Sequence, residues 1–541
     1  EYPWPNYEAH ITASALAIQY KLPSYHCRYR TVVTNKSPSG AYRGIGQPIA
    51  VFVLERLLDM AARKLGMDPA EIRRINMVGE DEYPCTTALG TVIESGSHRA
   101  ALDAALAAIG YEDFRRAQAR ARNAGRHMGI GIAHYVEMTA PGTPLWKMIG
   151  ARLSGFEPAL VRIERDGRVT VIVGVNSQGQ SHETVFAQLA ADVLGVAIDE
   201  VRVVQGDSAM MPRGGAVGGS KSAVATGGAV LLAAQKLRER LAAIVAVAKE
   251  VPADAVEIRD GVIYDRGSNT ALCTLAEAAR EVWMGNWGLE QEDKGLEVLV
   301  HYEPPLLTHS NATHVATVEV DPETGGVRIL RYVVAEDCGR LINPRVVDGQ
   351  VQGGIAQGIG QALYEEVVHD AAGQILNGTL MDYLLPTAMD VPAAEIDHIE
   401  TPSPHTMGGI KGAGEGGKIA PPAAIANAVA DALAPFNVRA NRLPLTPERI
   451  LEMIAGGPLP DSAAEAHTEA ARDMNGEGFA IRGEHHVRAA REALWALLLD
   501  PERLARCLPG CRRLEIVGDH EYAGEMKIGI AGIRGVYAGR V

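Results

Sequence analysis

Cysteine is scarce. The 541 residues hold only six: Cys27, Cys85, Cys273, Cys338, Cys507 and Cys511. None is paired at CxxC spacing, which leaves no zinc or iron–sulfur signature. Thiols so few and scattered fit a reducing compartment, so a cytoplasmic setting is expected. Aromatic residues are 5% of the chain, and no apolar run reaches the ~18 residues a membrane helix needs. Positive charge is in the minority, 52 Lys and Arg against 66 Asp and Glu, a net −14. Such a balance repels phosphate backbones and argues against a nucleic-acid partner. An initiating Met and a signal peptide are also missing: the chain opens at Glu1-Tyr2-Pro3 and stops at Val541 within an alternating run. The expectation is a part of a longer polypeptide.

What is abundant is apolar residues, at 47%, and glycine, at 58 residues. The first supports two or three cores. The second predicts many places where backbone approaches something closely. Residues 1–43 read as extended, with turn residues Ser37-Pro38-Ser39-Gly40. Ile49, Phe52, Val53, Leu57, Met60, Ala61 and Leu65 recur at helical spacing up to Gly66, and Asp68-Pro69 opens a short helix through Met77. A helical connector is predicted over 98–122. Alternation at Ala159–Glu164 and Val169–Val173 around Asp166-Gly167 predicts a hairpin. A second follows at His314–Val320 and Val327–Val334. Each leads into a Gly-rich segment and then a helix, which points to a weak duplication. Further helices are expected at 182–195, 223–249 and around 421–434. Residues 456–478 read as a linker, and a new strand–helix–strand pattern begins at Phe479. The segments expected are 1–125, 126–455, the linker 456–478, and 479–541.

Four Gly-rich segments carry the chemistry. Gly412-Ala413-Gly414-Glu415-Gly416-Gly417 formally fits GxGxxG, but a loop rather than a strand precedes it, so a dinucleotide-binding Rossmann turn is not expected. Glu415 among glycines is either a carboxylate open to a ligand or the tip of an exposed turn. Gly214 to Ser222 misses the P-loop because Ser220 separates Gly219 from Lys221. It still offers glycines, hydroxyls and a lysine before a helix, a setting for an anion, or else a linker with a serine cap. Gln178-Gly179-Gln180-Ser181 offers donors and acceptors to a polar heterocycle, or simply a helix cap. Gly349 to Gly360 is a small-residue helix that says little by itself. Together the four predict one large polar ligand held mainly by backbone.

These residues also resemble a known family. Val320-Asp321-Pro322-Glu323-Thr324-Gly325, Asp337-Cys338-Gly339-Arg340 with Asn343-Pro344, Gly349-Gln350-Val351, Gly409-Ile410-Lys411-Gly412 with Gly414-Glu415, Ala41-Tyr42-Arg43-Gly44 and Ser177-Gln178-Gly179-Gln180 are similar to motifs of one kind of subunit. It is the molybdenum-binding large subunit of the xanthine dehydrogenase, aldehyde oxidase and carbon monoxide dehydrogenase family, matched in order over about residues 1–452. The fold implied is α+β: a mixed, two-part molybdopterin-binding domain. Residues 1–125 would be the end of its first part and 126–455 its second. The cofactor implied is molybdopterin, in bacteria as the cytosine dinucleotide. Its expected contacts are Gln178, Gly179, Gln180, Gly218, Gly219, Ser220, Lys221, Ser222, Gln350, Lys411, Gly412 and Gly414. Glu415 matches the catalytic glutamate, and Arg43 with its neighbours is expected to line the metal pocket. No protein metal ligand is implied, because the pterin dithiolene holds the molybdenum.

The implied activity is hydroxylation of an aldehyde or N-heterocycle with water as oxygen source. Electrons would leave to a 2Fe-2S small subunit and an FAD medium subunit, in a dimer of heterotrimers. The alternative is a non-catalytic cofactor carrier or assembly scaffold. Carbon monoxide dehydrogenases proper place a copper-binding Cys where Gly44 stands, so a Mo–Cu centre is not expected. Ile45 follows where purine hydroxylases carry an aromatic. Family members also have a large region before the Tyr-Arg-Gly motif, with a further cofactor-contacting loop. The tail 479–541, with Ile481-Arg482-Gly483-Glu484, Trp495, Leu499-Asp500-Pro501 and Cys507-Leu508-Pro509-Gly510-Cys511, resembles the G-type accessory protein of carbon monoxide dehydrogenase. That is a helix-grip (START-like) fold linked to assembly or recruitment of such enzymes to the inner membrane.

Overall fold

The computed structural model describes residues 7–456 except 33, 35–39, 149–153, 216 and 289–294, together with the backbone of three strands near the C-terminus. All but Gly456 of the expected linker 456–478, the strand 479–486 and the helix 490–507 lie outside the described residues, as does most of the Ser37–Gly40 turn.

In chain order the helices are α1 (Tyr7–Ala15), α2 (Gln47–Leu65), α3 (Pro69–Asn76), α4 (His98–Ile109), α5 (Tyr111–Asn123), α6 (Thr143–Met148), α7 (His182–Leu194), α8 (Gly227–Lys249), α9 (Leu275–Trp283), α10 (Pro344–Leu363), α11 (Gly416–Ile419), α12 (Pro421–Ala432) and α13 (Pro447–Ile454). The strands are β1 (Cys85–Thr86), β2 (Val92–Ile93), β3 (His127–Thr139), β4 (Glu157–Ile163), β5 (Val169–Val173), β6 (Val201–Gln205), β7 (Val256–Arg259), β8 (Val262–Asp265), β9 (Thr270–Thr274), β10 (Glu297–Tyr302), β11 (Thr308–Val320), β12 (Val327–Asp337), β13 (Glu395–His398), β14 (Cys511–Gly518), β15 (Glu521–Ile530) and β16 (Ile533–Arg540). The last three form an antiparallel sheet.

Two four-stranded sheets share one plan. In the order β10-β4-β5-β6, the hairpin β4–β5 is antiparallel and β6 joins β5 in parallel after α7. In the order β3-β11-β12-β13, the hairpin β11–β12 is antiparallel and β13 joins β12 in parallel after α10. Each unit is then followed by a helix against its sheet, α8 in the first and α12 in the second. The duplication expected from the two hairpins is thus a repeated strand–strand–helix–strand–helix unit.

The β3 sheet is covered on both faces. Ala133, Tyr135 and Ala316 face α10 and α12, while Ile130, Ile132 and Val315 face α4 and α5, the alternation that strand geometry imposes. Gly129 and Gly131 let α12 lie directly on β3: a Cβ at either would stand 2.0 Å from the Ala428 or Ala424 carbonyl. Arg73 of α3 ties the N-terminal helices to this sheet. Its guanidinium pairs with Glu55 at 2.7 Å, with both side chains fully buried, and donates to the Ile132 carbonyl.

Helices α2 and α3 follow the apolar spacing. Gly66 closes α2 in the left-handed conformation, and the Asp68 carboxylate accepts the Ala70 and Glu71 N–H groups at the start of α3. Two expectations need correction. Residues 1–43 are not all extended, because Tyr7–Ala15 is helical. This helix has no apolar stripe: its small residues Ala13 and Ala15 pack inward, and Thr12 Oγ1 donates to the Gly46 carbonyl. Residues 98–122 are more than a connector. Gly110, at φ +70°, breaks them into α4 and α5, and α4 packs on β11 and β12. No helix among the described residues is long and apolar enough to cross a membrane.

Candidate active site

The loops that leave the two sheets converge on one cavity of about 480 Å³. At its base stands Glu415, just before α11. Its Oε1 accepts the Gly219 N–H at 3.0 Å and its Oε2 accepts the Gly44 N–H at 3.1 Å. Two segments far away in sequence therefore fix one carboxyl group. The geometry needs unusual backbone. Gly44, Ile45 and Gly46 run at φ +93°, +33° and +72°, and Gly219 and Ser220 at +63° and +49°. A β-branched residue such as Ile45 rarely adopts such a φ, and strain of this kind gathers at functional sites.

Behind Glu415 lies a second carboxyl group. The Glu415 N–H donates to Ser220 Oγ at 3.0 Å, and the Ser220 hydroxyl donates to Glu137 Oε1 at 2.5 Å. Glu137 is fully buried in β3, and its Oε2 has no partner among the described residues. Burial and then the neighbouring Glu415 charge hold its pKa well above the ordinary carboxyl value. Burial also raises Glu415, against the pull of the Gly219 and Gly44 N–H groups, Arg43 and Lys418. The pair divides into a Glu137 that keeps its proton and a Glu415 that ionises first.

Arg43 braces the same wall. Its Nε donates to the Gly414 carbonyl at 2.7 Å, Nη1 to Gln357 Oε1 at 3.0 Å, and Nη2 to the Gln350 carbonyl at 2.9 Å and Gln350 Oε1 at 3.3 Å. It ties α10 to the backbone of the residue before Glu415, so its role in the geometry is to position. The Gln350 amide also donates to the Gly179 carbonyl at 3.1 Å, joining the first unit's loop to α10.

The other expected residues divide by where they point. Gln178, Gln180, Gly218, Ser220, Ser222, Gln350 and Gly414 line the cavity. Gly218 and Gly179 have no atom within 4 Å of where a Cβ would lie, so both loops present open backbone. Gly179, Gly219 and Gly412 are beside the cavity rather than on its wall. Gly412 is packed under Ser220, whose carbonyl would lie 2.4 Å from a Cβ there. The two lysines line the cavity with their stems and spend their charge elsewhere. Lys221 Nζ is 2.6 Å from Glu157 Oε1 in a buried ion pair. Lys411 Nζ donates to the Ser95 carbonyl and Thr401 Oγ1, both at 3.1 Å. Ser181 does not cap α7 with its side chain; it sits at φ +55°, the left-handed region. The Ser220 hydroxyl likewise serves Glu415 and Glu137 rather than a helix end.

Glu137 and Gln357 were not among the expected residues. A signal for Glu137 exists: a lone carboxylate interrupts the apolar run Tyr135-Val136-Glu137-Met138 of a strand, where an unpaired charge is costly. Gln357 offers none beyond its place in a small-residue helix.

The polar part of the wall is a set of amides, hydroxyls and open glycine backbone around one carboxylate, and Val185, Phe186, Ile342, Val346 and Ile410 add an apolar part. Such a set fits a large polar cofactor recognised by hydrogen bonds. Among the described residues no group of three or more His, Cys, Asp and Glu could hold a metal.

Comparison with known proteins agrees with that donor set. A molybdopterin cofactor-binding domain profile matches residues 104–392, a related profile of the same description matches 5–77, and the carbon monoxide dehydrogenase CoxG profile matches 483–541. The chain is 39% identical to the nicotine 6-hydroxylase large subunit of Paenarthrobacter nicotinovorans, over 81% of this chain and 53% of that protein. It is 34% identical to the carbon monoxide dehydrogenase large chain of Hydrogenophaga pseudoflava, over 80% and 54%. Among solved structures it resembles quinoline 2-oxidoreductase from Pseudomonas putida 86, with a TM-score of 0.78 and 38% identity over 84% of this chain and 58% of that one. The chain spans about half the length of the curated relatives it matches.

Proposed function

The chain belongs to the molybdopterin cofactor-binding family, and on that premise we propose that it is the catalytic part of a molybdenum hydroxylase acting on an aldehyde or an N-heterocycle. The observation that carries this reading is the Glu415 carboxylate, oriented by two backbone N–H groups from distant loops in a cavity that also presents the Gln178, Gln180 and Gln350 amides. The net reaction would be R–H + H₂O → R–OH + 2 H⁺ + 2 e⁻.

When bound, the molybdopterin cofactor supplies the redox chemistry and oxygen transfer. Gln178, Gln180, Gly218, Ser222 and Gln350 would hold it, largely through amides and open backbone. Ionised Glu415 accepts the proton that the water oxygen loses, a general-base step. Because both its oxygens are already anchored, the carboxylate meets substrate without reorganising. Arg43 keeps Gly414, and hence Glu415, in place. Ser220 and protonated Glu137 support the backbone behind it. Gly44 offers no thiolate, so no copper is expected beside Glu415.

Similar proteins are named as large subunits or complex subunits. An iron–sulfur small subunit and an FAD medium subunit are accordingly the partners proposed, in a dimer of heterotrimers. The CoxG-like tail is the element proposed to guide assembly or to hold the complex at the inner membrane. The test is to isolate the full-length protein with its partner subunits and measure molybdenum and acid-released CMP. About one of each per chain is expected for a bound cytosine dinucleotide cofactor. A folded, matured complex with neither would overturn the reading in favour of a scaffold.

A further inference from the structure

A second cavity, of about 230 Å³, adjoins the first and shares Tyr42, Ile45 and Gln357 with it. Ile45, Pro48 and Ile49 give it an apolar wall, while Gln361, Glu365 and Lys418 make it polar. Lys418 is three residues from Glu415 and only 4% exposed. Its Nζ lies 4.7 Å from the Tyr42 ring centroid. Among the described residues no hydrogen bond and no ion pair within 4.0 Å reaches this ammonium; Glu8, Glu365 and Glu415 act on it only through space. Burial lowers its pKa to about 8. The stem is buried and the Tyr42 ring covers one side of the ammonium, which leaves its N–H groups free to donate into the cavity. The Gln361 amide oxygen is buried in this cavity and has no hydrogen-bond partner among the described residues.

The charges around Lys418 restrict what it takes. Glu365 keeps its carboxylate nearby, accepting the Tyr383 hydroxyl at 2.7 Å, and Glu8 lines the same cavity. A carboxylate ligand would meet two like charges, whereas a neutral carbonyl oxygen would not. The apolar wall suits ring carbons, and the Gln361 amide can meet a ring N–H. We propose that this cavity is a substrate subsite in which Lys418 donates a hydrogen bond to the neutral carbonyl of a small ring, a lactam, whose other edge faces Glu415. The inference rests on the hydroxylase reading and narrows its substrate to an N-heterocycle that already carries an oxo group. A reaction that introduces a ring oxygen would therefore stand upstream.

The test compares binding of 2-pyridone and pyridine to the full-length complex, wild type and Lys418→Met, by calorimetry. The Kd of 2-pyridone should rise about tenfold in the variant, the weight of one charge-assisted hydrogen bond, with pyridine unchanged. A second readout uses wild type alone. Cyanate should carbamoylate Lys418 at pH 8, read by mass spectrometry, and 2-pyridone but not pyridine should slow it several-fold. Equal binding of the two rings, an unchanged 2-pyridone Kd in Lys418→Met, absence of 2-pyridone protection, or a Lys418 that cyanate never reaches would each overturn the subsite. Neither readout requires turnover or molybdenum, so its failure stays separate from failure of the hydroxylase reading.

Discussion

Arg43→Lys keeps the charge and removes the fork. The guanidinium donates four hydrogen bonds to Gly414, Gln357 and Gln350, three of them at 3.0 Å or less. An ammonium is a point donor and cannot reach the Gly414 carbonyl, the Gln357 amide and the Gln350 carbonyl together. Losing two of those bonds at ~1–1.5 kcal/mol each removes ~2–3 kcal/mol. The adjoining cavity lets water reach the freed acceptors, which brings the net loss to ~2 kcal/mol. All of it falls on the contact between α10 and the residue preceding Glu415, so it appears where Glu415 must be held for reaction. A loss of ~2 kcal/mol is about a 30-fold drop in kcat/KM. Steady-state kinetics at matched molybdenum content, with any substrate found by screening, is the assay. The drop should lie in kcat, because the bracing concerns the proton acceptor rather than uniform binding. An Arg43→Lys enzyme within threefold of wild type would refute the bracing argument.

Lys221→Met should destabilise the protein by ~3–5 kcal/mol, because it strands the buried Glu157 carboxylate, and Lys221→Met with Glu157→Gln should recover most of the melting temperature. A single variant that loses cofactor without losing stability would instead make Lys221 a cofactor ligand. Glu137 keeps its proton in the folded protein at pH values where the unfolded chain has released it. Its contribution to stability is therefore full below the ordinary glutamate pKa and declines as pH rises toward its raised folded value. Glu137→Gln, which imitates the protonated acid, should gain melting temperature relative to wild type at pH 9 compared with pH 5; a difference that does not vary with pH would contradict the assignment.

Much of the scaffold was legible because it follows local rules. The apolar spacing from Ile49 to Leu65 and the stop at Gly66 define α2, and period-two alternation defines both hairpins. Helix α1 escaped because Ala-rich segments without a stripe leave no periodic signal, and its packing depends on Gly46. Glu415 stood out through its glycine neighbours, which open the backbone around it. What holds it did not: Gly44 and Gly219 lie 371 and 196 residues away in sequence. The partners of Lys221 and Lys411 were hidden for the same reason. A lysine in a Gly-rich loop reads as an anion ligand until the fold brings Glu157 to one and the Ser95 carbonyl to the other. Glu137 left a faint trace as a charge inside an apolar strand, and only the sheet register places it behind Ser220.

The most direct test of Glu415 as the proton acceptor is Glu415→Gln, with substrate-driven reduction of the complex measured beside molybdenum content. The amide retains an acceptor for one of the two N–H groups but cannot take up a proton. Reduction should slow by ~10²–10⁴-fold, the usual weight of a general base, with molybdenum retained. The acid limb of wild-type kcat/KM should also lie above the ordinary glutamate range, because burial raises this carboxyl. A Glu415→Gln complex that holds its molybdenum and is reduced within tenfold of wild type would contradict the account.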